Sequence, residues 1–343
     1  MNFKLFSGKV LQAGAILSLI IGGLAASGQA LAQTTELKLG LYQSETHMFV
    51  KVANKVLPEL EQRTQGRYKF GVYASEVIGK AAEQLDLTNR GLVFANLMCT
   101  CYYPGTFPLF NIETLPIWSQ GVKGVEAAYK GGLNKLYEEY LHSRGLKNVG
   151  FVGATAFSVR SLGMKKKAVH LPTDFKGLKV RTLGLERVPV QVNGGAVMSV
   201  AMPEVYEALS RNMISGMMAQ ESNWIDWKLY EVLDYITFLD LTTSPMSLVY
   251  SISDMNKIPE ADRKIVLEVL NKFNDTLATE YGKFMDDGRV FLSTKWKGKV
   301  VNLTPAERQA FIKSAETEGM KQFLEKAGDM GPKAIEIVKK YNP

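Results

Sequence analysis

The chemistry this chain could do starts from an arginine on a short strand. In "FKGLKVRTLG" (175–184), Leu178, Val180 and Thr182 alternate with Lys179, Arg181 and Leu183, which is the period of a β-strand. Asp174 lies just upstream, and Gly184 closes the run. A guanidinium presents a planar fork of donors that fits a carboxylate with two parallel hydrogen bonds. In a cleft that closes and excludes water, such a pair gains strength and direction. A strand arginine is more commonly a solvated or ion-paired residue of a sheet face, so residue type alone leaves both roles open. Lys179 reads as a solvated neighbour.

Motifs for covalent, metal or nucleotide chemistry are not found. No H-E-x-x-H, G-x-S-x-G, P-loop or G-x-G-x-x-G occurs, and the only histidines are His47, His142 and His170. His142, in "EEYLHSRG", suits the carbonyl end of a helix. The expectation is a non-enzyme with no catalytic residue, no cofactor and no metal site. The two cysteines, Cys99 and Cys101 in "MCTCYYP", supply too few ligands for a metal. A bridge across one intervening residue closes a small ring, so two partly buried thiols at a strand end lining a cleft are expected.

Residues 1–32 read as a secretory signal peptide. Lys4 and Lys9 precede the uncharged run "AGAILSLIIGGLAA" (13–26), and "ALA" (30–32) supplies small residues for cleavage. That run is shorter than the roughly 20 residues needed to span a bilayer. Cleavage after Ala32 would release the rest to the periplasm. Removing the two lysines takes the net charge from +7 to +5, an excess spread too thinly to suggest nucleic acid. A chain of 343 residues, 46% hydrophobic and without low-complexity tracts, is globular and longer than one usual core, so two domains are expected.

The elements that must position Arg181 follow an α/β pattern. "LKLGLY" (37–42), "YKFGVYAS" (68–75) and "LVFANLM" (92–98) read as strands separated by helices, the order of a mostly parallel sheet. "VEAAYKGGLNKLYEEYLHSRG" reads as one helix. "NVGFVGA", "VRSLGM", "LKVRTLG" and "VMSVAM" are further strands. Residues 259–295 form a long helix, and Thr304 caps another that opens at Pro305. No flexible linker separates two halves, so the chain is expected to cross between them more than once, leaving a hinged cleft.

Five ordered blocks carry a resemblance. "QSETHMFVKVANKVLPELEQRTQGRYKFGVYASEVIG", "EQLDLTNRGLVFANL", "YYPGTFPLFNIETLP", "LPTDFKGLKVRTLGLERVPVQVNGGAVMSVAMPEVYEALSRNMISG" and "LTPAERQAF" resemble the solute-binding proteins of TRAP (tripartite ATP-independent periplasmic) transporters, the dicarboxylate-binding-protein family. The most specific is the fourth, similar to the family's "D-x-x-G-x-K-x-R" and "E-x-Y-x-A-L". The resemblance implies a two-lobed periplasmic binding protein fold, with a cleft between the lobes and a long helix spanning both. Lobe I would be 33–157 plus 246–286, and lobe II 158–245 plus 287–343. It implies a protein that captures a carboxylate and delivers it to TRAP membrane permease subunits, as a monomer or homodimer. A receptor feeding a signalling partner is the alternative, and a periplasmic enzyme a more remote one.

By the same resemblance Arg181 is the carboxylate ligand. Arg160 matches an arginine found in many members on the preceding strand, where a hinge ion pair is the competing role. Positions at strand ends add Gln43 and His47 after strand one and Tyr102 and Tyr103 after strand three. Phe157 at the entry to the second lobe, and Met218, Gln220 and Trp224 after the "ISG" turn, complete the set. The chain departs from the family where an Asn precedes a Pro, here "GGAVMSVAMP", and where Ser215 replaces the Asp of "D-G". Fewer polar groups and more apolar ones are thus expected around the ligand, which suits an aromatic or keto acid.

Overall fold

The computed structural model describes residues 34–343. The proposed signal peptide lies outside them. Eleven strands form two sheets. The first joins β1 (Thr35–Leu41), β2 (Tyr68–Tyr73), β3 (Ala95–Cys99), β4 (Val149–Thr155) and β10 (Met246–Ser251) in the order β2-β1-β3-β10-β4. The second joins β5 (Arg160–Met164), β6 (Lys179–Arg181), β7 (Ala196–Met198), β8 (Gly216–Gln220), β9 (Tyr235–Phe238) and β11 (Lys299–Asn302) in the order β11-β9-β5-β8-β6-β7. β1 runs parallel to β2 and β3, while β10 is antiparallel to its neighbours β3 and β4. This is a two-lobed α/β architecture.

The chain crosses between the sheets after β4 and returns between β9 and β10, so two extended segments bridge the lobes. The helix Glu260–Thr294 then runs along both. It packs on the helix Met48–Val56 and β4 at one end and on the helix Ser222–Asp226 and β11 at the other. Phe273, Leu277 and Tyr281, at helical spacing, bury its inner stripe in the core of the first lobe. Residues 287–343 were expected with the second sheet. The last helix, Met330–Tyr341, instead packs against the helices Gly121–Ala128 and Asn134–Ser143, because Ala334 and Val338 complete the apolar cluster around Tyr137.

Four strands escape sequence patterning: β8, β9, β10 and β11. β8 is central and buried throughout, so "GMMAQ" carries no alternation. The expected single helix at 125–145 is broken. Gly132 adopts φ 138°, and residues Tyr129–Leu133 form a wider π-type turn. That break brings the hydroxyls of Tyr129 and Tyr137 onto the buried Glu113 carboxylate, at 2.5 and 3.1 Å, and Thr100 donates from a third side at 2.5 Å.

Burial pushes the Glu113 carboxyl up to about 7, against the pull of its three hydroxyl donors. Between its ordinary value of 4.5 and about 7, the unfolded chain releases a proton that the folded one keeps. Stability from this group is therefore present below about pH 4.5 and lost as pH rises to about 7. Its span is about 3 kcal/mol. Glu113→Gln should flatten that part of the pH profile. Urea unfolding of both proteins at pH 4.5 and pH 8 measures the difference, and an unchanged slope would rule the assignment out.

Candidate functional site

The C-terminal ends of β1 and β3 face the second sheet across a narrow cavity of about 30 Å³. Tyr42, Gln43, His47 and Phe49 reach it from the segment after β1, and Cys99, Cys101 and Tyr102 from the end of β3. The opposite wall is Arg160, Arg181, Leu183, Met202, Gln220, Asn223 and Trp227, and Ser244 from the returning crossover closes it. The lining contains no Asp or Glu.

The two arginines are held differently. Arg160 opens β5, with Nε 2.6 Å from Glu186 Oε1 and Nη2 donating to the Met218 carbonyl at 2.7 Å. The Thr242 hydroxyl fixes that Glu186 oxygen at 2.8 Å. Arg160 thus carries its own counter-ion. Arg181 ends β6, is 3% exposed, and donates through Nε to the Val200 carbonyl at 3.1 Å. No acidic side chain pairs with it among the described residues. Burial first, then the nearby Arg160 charge, lowers its pKa to about 10, which leaves it cationic at neutral pH.

Six of the ten predicted site residues meet at this cavity: Arg181, Arg160, Gln43, His47, Tyr102 and Gln220. His47 caps the helix Met48–Val56, its Nδ1 accepting the Phe49 N–H at 3.2 Å, and its Nε2 lies 3.0 Å from Asp226 of the facing lobe. The Gln220 amide donates to the Ser244 carbonyl. Tyr102 packs edge-on against Tyr42, with ring centroids 5.6 Å apart.

The other four point elsewhere. Tyr103 turns away from its neighbour Tyr102, accepting the Leu85 N–H and donating to the Ala81 carbonyl. Phe157 packs against Tyr129 in the core of the first lobe. Met218 lies deeper along β8 than Gln220 and joins a second-lobe core cluster. Trp224 donates to Ser161 from the buried face of its helix, at 2.7 Å. The spacing of Asn223 and Trp227, four apart, puts those two on the cavity face instead. Tyr42, Phe49, Leu183, Met202 and Ser244 also line it without having been singled out. Of these, only Tyr42, directly beside Gln43, was within reach of sequence reasoning. His142 and His170 lie apart, bonded to the Val149 carbonyl and to Glu307.

The cysteines correct the expectation of free thiols. Cys99 and Cys101 form a disulfide, with Cα atoms 5.1 Å apart. The short turn Thr100–Tyr102 folds the chain back at the end of β3 and brings the two side chains together. The bridge lines the cavity, as the strand-end placement implied, and Cys99 Sγ lies 3.2 Å from Ser244 Oγ. Thiol titration with a chromogenic disulfide should find no free thiol in the native or denatured protein, and two after reduction. Two thiols without a reductant would contradict the bridge.

The fold is shared with solved structures. A TRAP periplasmic solute-binding protein from Shewanella oneidensis with bound succinate matches with a TM-score of 0.79 at 20% identity, covering 90% of this chain and 100% of that one. One from Anaerococcus prevotii with bound D-glucuronate gives 0.79 at 21% identity, covering 90% and 98%. In sequence, the 2,3-diketo-L-gulonate-binding periplasmic protein YiaO of Escherichia coli is 22% identical over 252 residues, covering 73% of this chain and 76% of that protein. Residues 39–326 match the family model DctP, bacterial extracellular solute-binding protein, family 7. The chain belongs to this family of TRAP solute-binding proteins.

Proposed function

We propose that this protein captures an organic acid in the periplasm by clamping its carboxylate on Arg181 and hands it to a TRAP membrane permease. One observation carries the proposal: Arg181 is buried at the cavity as a cation with no acidic partner among the described residues. A buried charge is costly until paired, so an anion that brings its own carboxylate gains what the protein alone forgoes. The acid-free lining leaves the Arg181 charge unopposed at the cavity, while Glu186 offsets that of Arg160. The family and the acids bound by its solved members agree with that chemistry. No helix among the described residues is long and apolar enough to cross a membrane, which suits a secreted receptor working with a separate permease.

The cavity wall also bears on the ligand. Tyr42, Phe49, Tyr102, Trp227, Leu183, Met202 and the disulfide supply apolar surface, although polar atoms make up more than half of the cavity wall. Such a wall covers the carbon body of the acid while the guanidinium holds its head. The lobe limits of 33–157 plus 246–286 and 158–245 plus 287–343 belong to this proposal, except for the last helix, Met330–Tyr341, which packs on the first lobe. Within it, the last helix would move with the first lobe.

Arg181→Ala should keep its fold by circular dichroism and lose about 100-fold or more in affinity for whichever acid binds wild type in a carboxylate panel read by calorimetry. Arg181→Lys should lose most of that as well, since an ammonium cannot reproduce the two-pronged contact. An Arg181→Ala protein that binds as tightly as wild type would overturn the clamp.

A further inference from the structure

The buried polar atoms around the cavity say more about the acid than its charge. Gln43 lines the cavity and is 2% exposed. Its backbone is fixed, its carbonyl accepting the Ser75 N–H at 2.7 Å. The neighbouring Tyr42 hydroxyl points to Met246 Sδ at 3.8 Å. Oε1 is buried and has no hydrogen-bond partner among the described residues.

A buried carbonyl oxygen without a donor is unfavourable, and native structures rarely leave one so. The arginine donors do not serve it. Arg160 faces Glu186 and donates to the Met218 carbonyl, the Nε of Arg181 donates to Val200, and no donor of either arginine bonds Gln43 Oε1. An amide oxygen can only accept. A keto or carboxylate oxygen placed against it would set acceptor against acceptor. An ammonium could donate, but it would sit in a cavity with two guanidinium groups and no acidic side chain. A hydroxyl donates without adding charge.

We propose that the acid held by Arg181 carries a hydroxyl that donates to Gln43 Oε1, so that the site selects hydroxy acids over their keto and deoxy counterparts. This rests on Arg181 as the carboxylate clamp, and it narrows the aromatic-or-keto class expected from sequence to hydroxy acids with an apolar body. Gln43 is then a specificity-determining residue. The selection comes from a site whose polar atom goes unpaired when the wrong ligand binds.

The test is calorimetry with matched triplets that differ at one carbon: phenyllactate, phenylpyruvate and phenylpropionate, and malate, oxaloacetate and succinate. In the triplet that binds, the hydroxy acid should be about tenfold or more tighter than the other two. Gln43→Leu, checked for fold by thermal melting, should erase the difference among the three. Equal affinities in wild type would overturn the proposal and mean that a trapped water serves Oε1. A preference that survives Gln43→Leu would overturn the assignment to this residue. Should no acid of either triplet bind, while another acid of the carboxylate panel does, the hydroxy-acid proposal would be overturned and the clamp would still stand on the Arg181→Ala comparison. If Gln43→Leu does not fold, the wild-type comparison still decides whether hydroxy acids are preferred.

Discussion

A guanidinium buried without a counter-ion is the constraint around which this molecule is organised. Taking the Arg181 charge out of water is expensive, and a single carbonyl hydrogen bond offsets little of that cost. The fold can hold it there only because the rest of the protein is well packed: two sheets, a helix of 35 residues along both, and large buried clusters in each lobe. The neighbouring Arg160 shows the alternative. Glu186 neutralises it internally, and a threonine hydroxyl holds Glu186 in place. One cation is thus neutralised within the chain and the other is not, which is the arrangement the proposed carboxylate clamp calls for.

The opposite wall depends on a second buried charge site. Glu113 collects hydroxyls from Thr100, Tyr129 and Tyr137, and Thr100 is the residue between the two bridged cysteines. The carboxylate therefore anchors the turn that presents the disulfide and Tyr102 to the cavity. The backbone of Glu113 also accepts the Thr243 N–H from the returning crossover, tying this anchor to the hinge. The ends of the first lobe's strands and the path between lobes are held by one connected set of hydrogen bonds. Contacts across the cavity, His47 with Asp226 and Gln220 with Ser244, then bring the lobes together around the proposed ligand position.

Much of this was legible in the chain. The α/β order, the long helix and the strand carrying Arg181 all have local signals: apolar periodicity, capping residues and the proline and glycine that punctuate elements. The helix expected over 259–295 spans Glu260–Thr294, because Pro259 and a long apolar stripe mark it. Other features lack such signals. β8 is buried on both faces and shows no alternation, and the π-type turn at Tyr129 is written only as two glycines inside a helical pattern. Among neighbouring pairs such as Tyr102 and Tyr103, or Asn223 and Trp224, sequence names the segment but not the side chain that turns inward. That choice follows from sub-turn rotation of a short helix, which packing against the rest of the lobe decides.

By itself the sequence determined which residue types stand at the strand ends, and from their order in the chain the family and the two-lobed fold. Local chemistry suffices for that, since propensities, caps and turn residues act within a few positions. Only the tertiary structure decided that Arg160 is answered by Glu186 while Arg181 is not, that Cys99 and Cys101 are bridged, and that Gln43 keeps an unpaired oxygen. Those are facts about which groups meet after burial. Whether a buried charge or polar atom finds its partner depends on segments far apart in the chain, and no local pattern encodes that meeting.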